Sequence, residues 1–396
     1  SMISQRSLFL NYLAQTSSEP LLIEPKEASG IYITDVNDKK FIDLISGIGV
    51  SSVGHRHPMV LEAIQDQLNK YLHVMVYGEF VQSPQALFAK NLCDLLPEHL
   101  NNVYLVSSGS EAIEGAMKLA KKYTGRKKLY SLRNCYHGNT QAVMSLLTDE
   151  ERKKGYGPYV QDVKHLEYND LNSIKNIDED TAAVIIETVM GEAGALTHSQ
   201  EYLQLLREKC TEIGCLLILD EVQCGIGRTG KMFAFEHYGI EPDILILAKG
   251  IGGGMPIGAF VANKNIMQTF TENPVLGHIT TFGGHPVSAA AANATLELLK
   301  DGEVISKVQA KEELFRTLLN HPKIKGISGK GLLLAVKLSS FEEVQKVIAY
   351  CLEKGIITDW FLFADDCIRI APPLIIDEES ITFACNILNE AFDTLS

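Results

Sequence analysis

Residues 244–258 read ILILAKGIGGGMPIG. Five apolar residues in a row have the pattern of a strand buried on both faces, and such a strand rarely runs straight into a lysine. Lys249 therefore raises the question that organises the rest of the chain. Upstream, CLLILD (215–220) repeats the pattern and ends in an acid. NVYLVSS (102–108), KKLYSL (127–132) and AAVIIET (182–188) are earlier strand candidates, and IGAFVA (257–262) is a later one. SEAIEGAMKLAKKYTG (110–125) and SQEYLQLLREKCTEIG (199–214) carry helical periodicity, and each stops at a glycine. Alternation of this kind predicts an α/β fold with a mainly parallel sheet covered by helices on both faces.

From Pro286 the texture changes. A long Ala-rich helix (VSAAAANATLELLKDG, 287–302) leads into amphipathic helices and the short strands GLLLAVKL and CIRIAPP. The expected organisation is a large domain over 49–285 and a smaller α+β domain over 286–396. Residues 1–48, with the strand pair GIYITDVNDKKFIDL, pack beside the smaller domain.

Composition excludes several functions. The 396 residues are 46% hydrophobic and 21% charged, as in ordinary globular proteins. A formal net charge of −13 argues against a nucleic-acid partner, which needs a basic footprint. No run approaches membrane-spanning length, and no metal-ligand spacing appears. Eight scattered cysteines, several inside apolar runs, read as free thiols in a reducing cytoplasm. The N-terminal apolar stretch is too interrupted for a signal peptide, and Ser1 ahead of Met2 reads as a cloning remnant.

In open parallel sheets, ligands bind beyond the carboxyl ends of the strands. Those ends carry SSGSEA, NCYHGNT, ETVMGE, DEVQCG and KG. Ser108, Gly109 and Ser110 would wrap a phosphate at a helix N-terminus, although the serines equally suit a simple cap. Tyr136 and His137 offer a face for a flat heterocycle, and are otherwise packing residues. Asp220, half-buried, needs a cation as partner. Lys249, desolvated, becomes a nucleophilic amine able to form a Schiff base; in water it would only snorkel. Together they describe a pocket for a phosphorylated, aromatic, cationic aldehyde.

Two nucleotide-binding alternatives compete. GIGRTG (225–230) has the spacing of a dinucleotide fingerprint, but DEVQC separates it from its strand and no acid closes the next strand at the expected distance. GIGRTGK nearly spells a phosphate loop, but Met232 stands where a Ser or Thr must hold magnesium, and the acidic strand LLILDE precedes the loop.

DEVQCGIGRTGKMFAFEHYGIEPDILILAKGIGGGMPIGA (220–259) resembles the core of class III pyridoxal-phosphate-dependent aminotransferases, particularly the acetylornithine, ornithine and 4-aminobutyrate branch. The likeness continues through GIYITDVNDKKFIDL, GHRHP, SSGSEA, YHG, TTFGGHP and RIAPPL. It implies a fold-type-I enzyme with a seven-stranded sheet, pyridoxal 5′-phosphate on Lys249 as a Schiff base, and Asp220 at the pyridine nitrogen. Gln223 would meet the ring oxygen, Tyr136 would stack on the ring beside His137, and Glu187 would lie in the surround. Ser108, Gly109 and Ser110 would bind the phosphate, joined by Thr281 from the other subunit of a homodimer. Arg369 would grip a substrate carboxylate, with Glu192 as its partner when none is bound.

The sequence departs from that pattern where the substrate lies. Asn139 stands in place of an arginine, Ile48 in place of a tyrosine, and Thr188 and Met190 in place of proline and glutamine. The expected function is cytoplasmic transamination from a terminal amine to a 2-oxo acid by a ping-pong route. An aminomutase of the same fold is the alternative within the cofactor class.

Overall fold

The computed structural model describes residues 2–76 and 78–396. Ser1, read above as a cloning remnant, lies outside the described residues. Among those described, the strands form three sheets, the largest of seven strands. We number its strands in chain order: β1 (Asn102–Val106), β2 (Lys128–Leu132), β3 (Val163–Leu166), β4 (Thr181–Glu187), β5 (Leu216–Asp220), β6 (Ile244–Ala248) and β7 (Gly258–Ala262). Their spatial order is β1-β7-β6-β5-β4-β2-β3. The pairs from β3 across to β6 are parallel, and β7 runs antiparallel between β6 and β1.

The continuous apolar runs are explained by cover on both faces. Leu217, Leu219, Leu245 and Leu247 join one core cluster, whereas Ile218, Ile244, Ile246 and Phe260 join another. Alternate side chains of one strand point to opposite faces, so neither face can be polar. The helix Gly109–Thr124 buries Ile113, Ala116 and Met117 in the second cluster. The helix Gln200–Ile213 buries Tyr202, Leu203 and Leu206 in the first. Both end at glycines in the left-handed region, Gly125 (φ 69°) and Gly214 (φ 73°), as the sequence predicts.

Some boundaries differ from expectation. β1 stops at Val106, because Ser107 and Ser108 turn into the helix that follows, Ser108 as its N-cap. β3, with one buried residue in four, has too little apolar signal to be seen in sequence. The Ala-rich helix is Pro286–Leu299, and its buried residues Ala291, Ala292, Leu296 and Leu299 belong to the cluster under the large sheet. The segment 30–44 forms the paired strands Tyr32–Asp35 and Lys40–Asp43, and the latter runs parallel to Ile356–Ile357. Ile31, Ile42 and Leu44 thereby enter a core made mostly of C-terminal residues. Among the described residues, no helix is long and apolar enough to cross a membrane.

The loop Gly225–Gly230 tells against both nucleotide readings. Its Arg228 is buried, with Nη1 donating to the carbonyls of Leu332 (3.0 Å) and Pro372 and Nη2 to Ser52 Oγ (3.2 Å). Burial pushes this guanidinium down to about 10, against the pull of Asp43, so it stays charged at neutral pH. The loop is a tie between the large sheet and the C-terminal core. Arg228→Met would leave these acceptors unpaired, and we expect a loss of about 3 kcal/mol. A lowered urea midpoint checks this; an unchanged midpoint contradicts it.

Candidate active site

The strand ends on the carboxyl side of the sheet surround a cavity of about 570 Å³. Lys249 follows β6, Asp220 ends β5, Glu187 ends β4, and Ser107–Ser110 lead from β1 into its helix. All of them line this cavity, with Tyr136, His137, Asn139, Gln223 and Ile48.

Lys249 lies at φ 50°, a left-handed conformation that costs a non-glycine residue about 1–3 kcal/mol. Burial lowers its pKa from 10.5 to about 8, against the opposing pull of Glu192. The glycines beyond it serve packing more than access. A Cβ on Gly250 would lie 2.8 Å from Ser52 Oγ, and one on Gly253 would lie 2.5 Å from Thr295 Oγ1. Only the third of the run, Gly254, lines the cavity.

Asp220 is fixed by two donors. Its Oδ1 accepts from the Val222 N–H at 2.9 Å, and its Oδ2 pairs with His137 Nδ1 at 2.7 Å. Burial opposes charge on His137, but Cys135 and Asp220 beside it raise its pKa well above the usual histidine range. Its Nε2 is buried with no partner among the described residues. Glu187 accepts from the Tyr136 N–H at 3.2 Å, and burial pushes its carboxyl up to about 8.

The hydroxyls of the serine loop are engaged within the protein. Ser108 Oγ accepts from the Glu111 N–H, completing the cap, and Ser110 Oγ accepts from the N–H groups of Asn139 and Thr140, all at 3.1 Å. The first-turn amides of Gly109 and Ser110 have no protein acceptor among the described residues, and a helix start with free amides favours an anion.

A second layer lies behind Gln223. Its Nε2 donates to Glu192 Oε2 at 2.7 Å, and Glu192 receives Arg369 Nη2 on both oxygens at 3.2 and 3.3 Å. Gly191 makes room for this, since a Cβ there would stand 2.5 Å from Gln223 Oε1. Burial alone would raise the Glu192 carboxyl, but Arg369 and Gln223 bring it below the ordinary value.

Thr281 is exposed and is not part of this cavity's wall. Thr188 and Met190, departures in the motif, face the core: Thr188 donates to buried Glu221 at 2.8 Å, and Met190 is 1% exposed. Asn139 and Ile48 are the departures that reach the cavity. Sequence reasoning missed Asp359, whose Oδ1 accepts from Arg369 Nε at 2.7 Å. It also missed Glu221, which accepts from the N–H groups of Ala234 and Phe235 and anchors the turn there. Their only signal was an acid at the end of an apolar run.

A desolvated amine, a strand-end carboxylate and free helix amides around one cavity define an enzyme of carbonyl–amine chemistry, and these groups fit a phosphorylated pyridine aldehyde. The aminotransferase class-III family pattern matches residues 13–392. The chain belongs to this family of pyridoxal-phosphate-dependent enzymes and is a transaminase of fold type I. An acetylornithine aminotransferase of Methanocaldococcus jannaschii is 38% identical over 378 residues, 92% of each chain. One of Bacillus subtilis is also 38% identical, over 93% of this chain and 94% of its own. The structure of an ornithine aminotransferase from Toxoplasma gondii superposes with a TM-score of 0.91 at 27% identity, covering 98% of this chain and 95% of that one.

The lowered pKa of Lys249 has a direct consequence. Its acylation in cofactor-free protein should rise with pH around a midpoint near 8. Surface lysines should still be rising near their ordinary 10.5. Competitive labelling read by mass spectrometry checks this, and a Lys249 midpoint with the surface set contradicts it.

Proposed function

We propose that this transaminase takes a terminal amine of the acetylornithine, ornithine or 4-aminobutyrate kind and passes the amino group to a 2-oxo acid. The observation that carries the reading is the desolvated Lys249 facing the same cavity as Asp220, with the Glu192–Arg369 pair behind it. Pyridoxal phosphate, when bound, supplies the aldehyde and the electron-poor ring that takes up carbanion charge.

Lys249 Nζ would hold the aldehyde of the bound group, and its amine would move the proton at the substrate carbon. Asp220, oriented by His137, holds a proton at the ring nitrogen. The amides of Gly109 and Ser110 receive the phosphate, with the serine loop as frame, and Thr281 of a second copy completes that site in a closed two-fold dimer. Tyr136 would cover the ring, Gln223 would meet its oxygen, and Glu187 would lie in the surround. Arg369 meets the substrate carboxylate when Glu192 yields it. The cytoplasm is the proposed location, and residues 1–48, 49–285 and 286–396 the proposed division of the chain, with the helix Pro286–Leu299 packed on the core of the large sheet. Sedimentation of active holoenzyme at assay concentration should give the dimer; an active monomer would remove Thr281 from the account.

Asn139 and Ile48 stand exposed at the cavity and bear on acceptor choice. Arg152, whose charge acts on Tyr136, is already bound to Asp149 at 2.6 Å and stacked over Phe363. A neutral amide at 139 offers about 1 kcal/mol per hydrogen bond where a guanidinium offers about 1.5–3. We therefore expect pyruvate to compete well with 2-oxoglutarate. Asn139→Arg should raise kcat/KM for 2-oxoglutarate about tenfold. Acceptor titrations of both proteins with one shared amine, chosen from a panel of terminal amines, test this. No amine accepted would sink the functional reading, and an unchanged acceptor ratio would sink only the role of Asn139.

A further inference from the structure

Arg369 is held by more than Glu192. Its Nε donates to Asp359 Oδ1 at 2.7 Å, Nη2 donates to both oxygens of Glu192 and to the Trp360 carbonyl, and the guanidinium lies 4.3 Å from the Phe361 ring centroid. The remaining nitrogen, Nη1, has no protein acceptor among the described residues. Two carboxylates thus share one cation that is 2% exposed.

Asp359 reaches this place through sheet register. Residues 360–361 pair antiparallel with the strand Ala364–Ile370, opposing Trp360 to Ile368. Next along the pair, the Arg369 N–H donates to the Asp359 carbonyl at 3.0 Å. Buried Thr358 Oγ1 donates to the Arg369 carbonyl at 2.6 Å. The backbone therefore sets the Asp359 carboxylate against Nε whatever Glu192 does.

A guanidinium can offer a carboxylate two forks, the side edge Nε/Nη2 and the end edge Nη1/Nη2. With Nε occupied, only the end edge can open when Glu192 moves away. We propose that Asp359 is a positioning residue for transamination: it closes the side edge of Arg369 and keeps the guanidinium in place, so that an incoming carboxylate docks end-on. This rests on the reading that Arg369 receives the substrate carboxylate. Asp359 stays bound when Glu192 leaves, so Arg369 does not swing after it or collapse onto the incoming acid.

The test separates the two half-reactions of the holoenzyme. Asp359→Ala should raise KM for the 2-oxo acid about tenfold or more, the loss of one charged hydrogen bond, with a smaller effect on kcat. Asp359→Asn, which keeps an acceptor for Nε, should restore most of that loss. Single-turnover reaction with benzylamine, an amine with no carboxylate, followed by the holoenzyme's visible absorbance, should be unaltered in both. Equal losses with benzylamine and with the 2-oxo acid would show a merely structural role and overturn the proposal. So would an unchanged KM in Asp359→Ala while Arg369→Lys raises it. If Arg369→Lys also leaves KM unchanged, the reading of Arg369 falls, and this inference with it.

Discussion

The structure turns on removing one amine from water. Lys249 can have its pKa near 8 only because the strand before it is buried on both faces and the turn after it packs without side chains. The left-handed backbone at Lys249 adds strain that the surrounding sheet must over-determine. A strand covered by helices on both sides is therefore a requirement of the chemistry as well as of the fold. Between pH 8 and 10.5 the unfolded chain keeps a proton that folded Lys249 has released, so this group makes the fold more stable as pH rises through that window.

The same desolvation forces the acids around the site into pairs. Asp220 is held by His137, and Glu192 by Arg369 and Gln223. Glu187 accepts from one amide and feels the charge of His137, and burial pushes its carboxyl up to about 8. Each carboxylate takes the charge state its partners permit, which is how one small cavity holds acids and cations in different roles. Glu221, next in sequence to Asp220, points instead into the core and ties Thr188 to the turn at Ala234. Adjacent acids at one strand end thus turn to opposite sides, one toward the cavity and one toward the core.

The legible part of this protein was the part written in periodicity. Apolar runs gave the central strands, because strands covered on both faces have no polar side to interrupt them. Left-handed glycines closed two helices where expected. Strand-end residues announced the cavity, since parallel strands carry their functional groups at one edge. What stayed hidden depends on contacts between distant segments. The edge strand β3 lacks an apolar run. Arg228 looked like part of a nucleotide loop, and only the carbonyls of Leu332 and Pro372 reveal it as a tie. Asp359 sits ten residues from Arg369 in an unremarked hairpin, where register makes the contact and sequence spacing does not. The serine hydroxyls showed the opposite ambiguity, fitting a cap and a phosphate loop alike, and in the folded chain they complete the cap and its loop.

Of all the lysines, Lys249 is the one proposed to engage the cofactor's aldehyde. Borohydride reduction of active holoenzyme, followed by proteolysis and mass spectrometry, tests it most directly. A single reduced pyridoxyl-phosphate adduct is expected on the peptide carrying Lys249, with loss of activity in step with its formation. An adduct on another lysine, or full activity after Lys249 is modified, would contradict it.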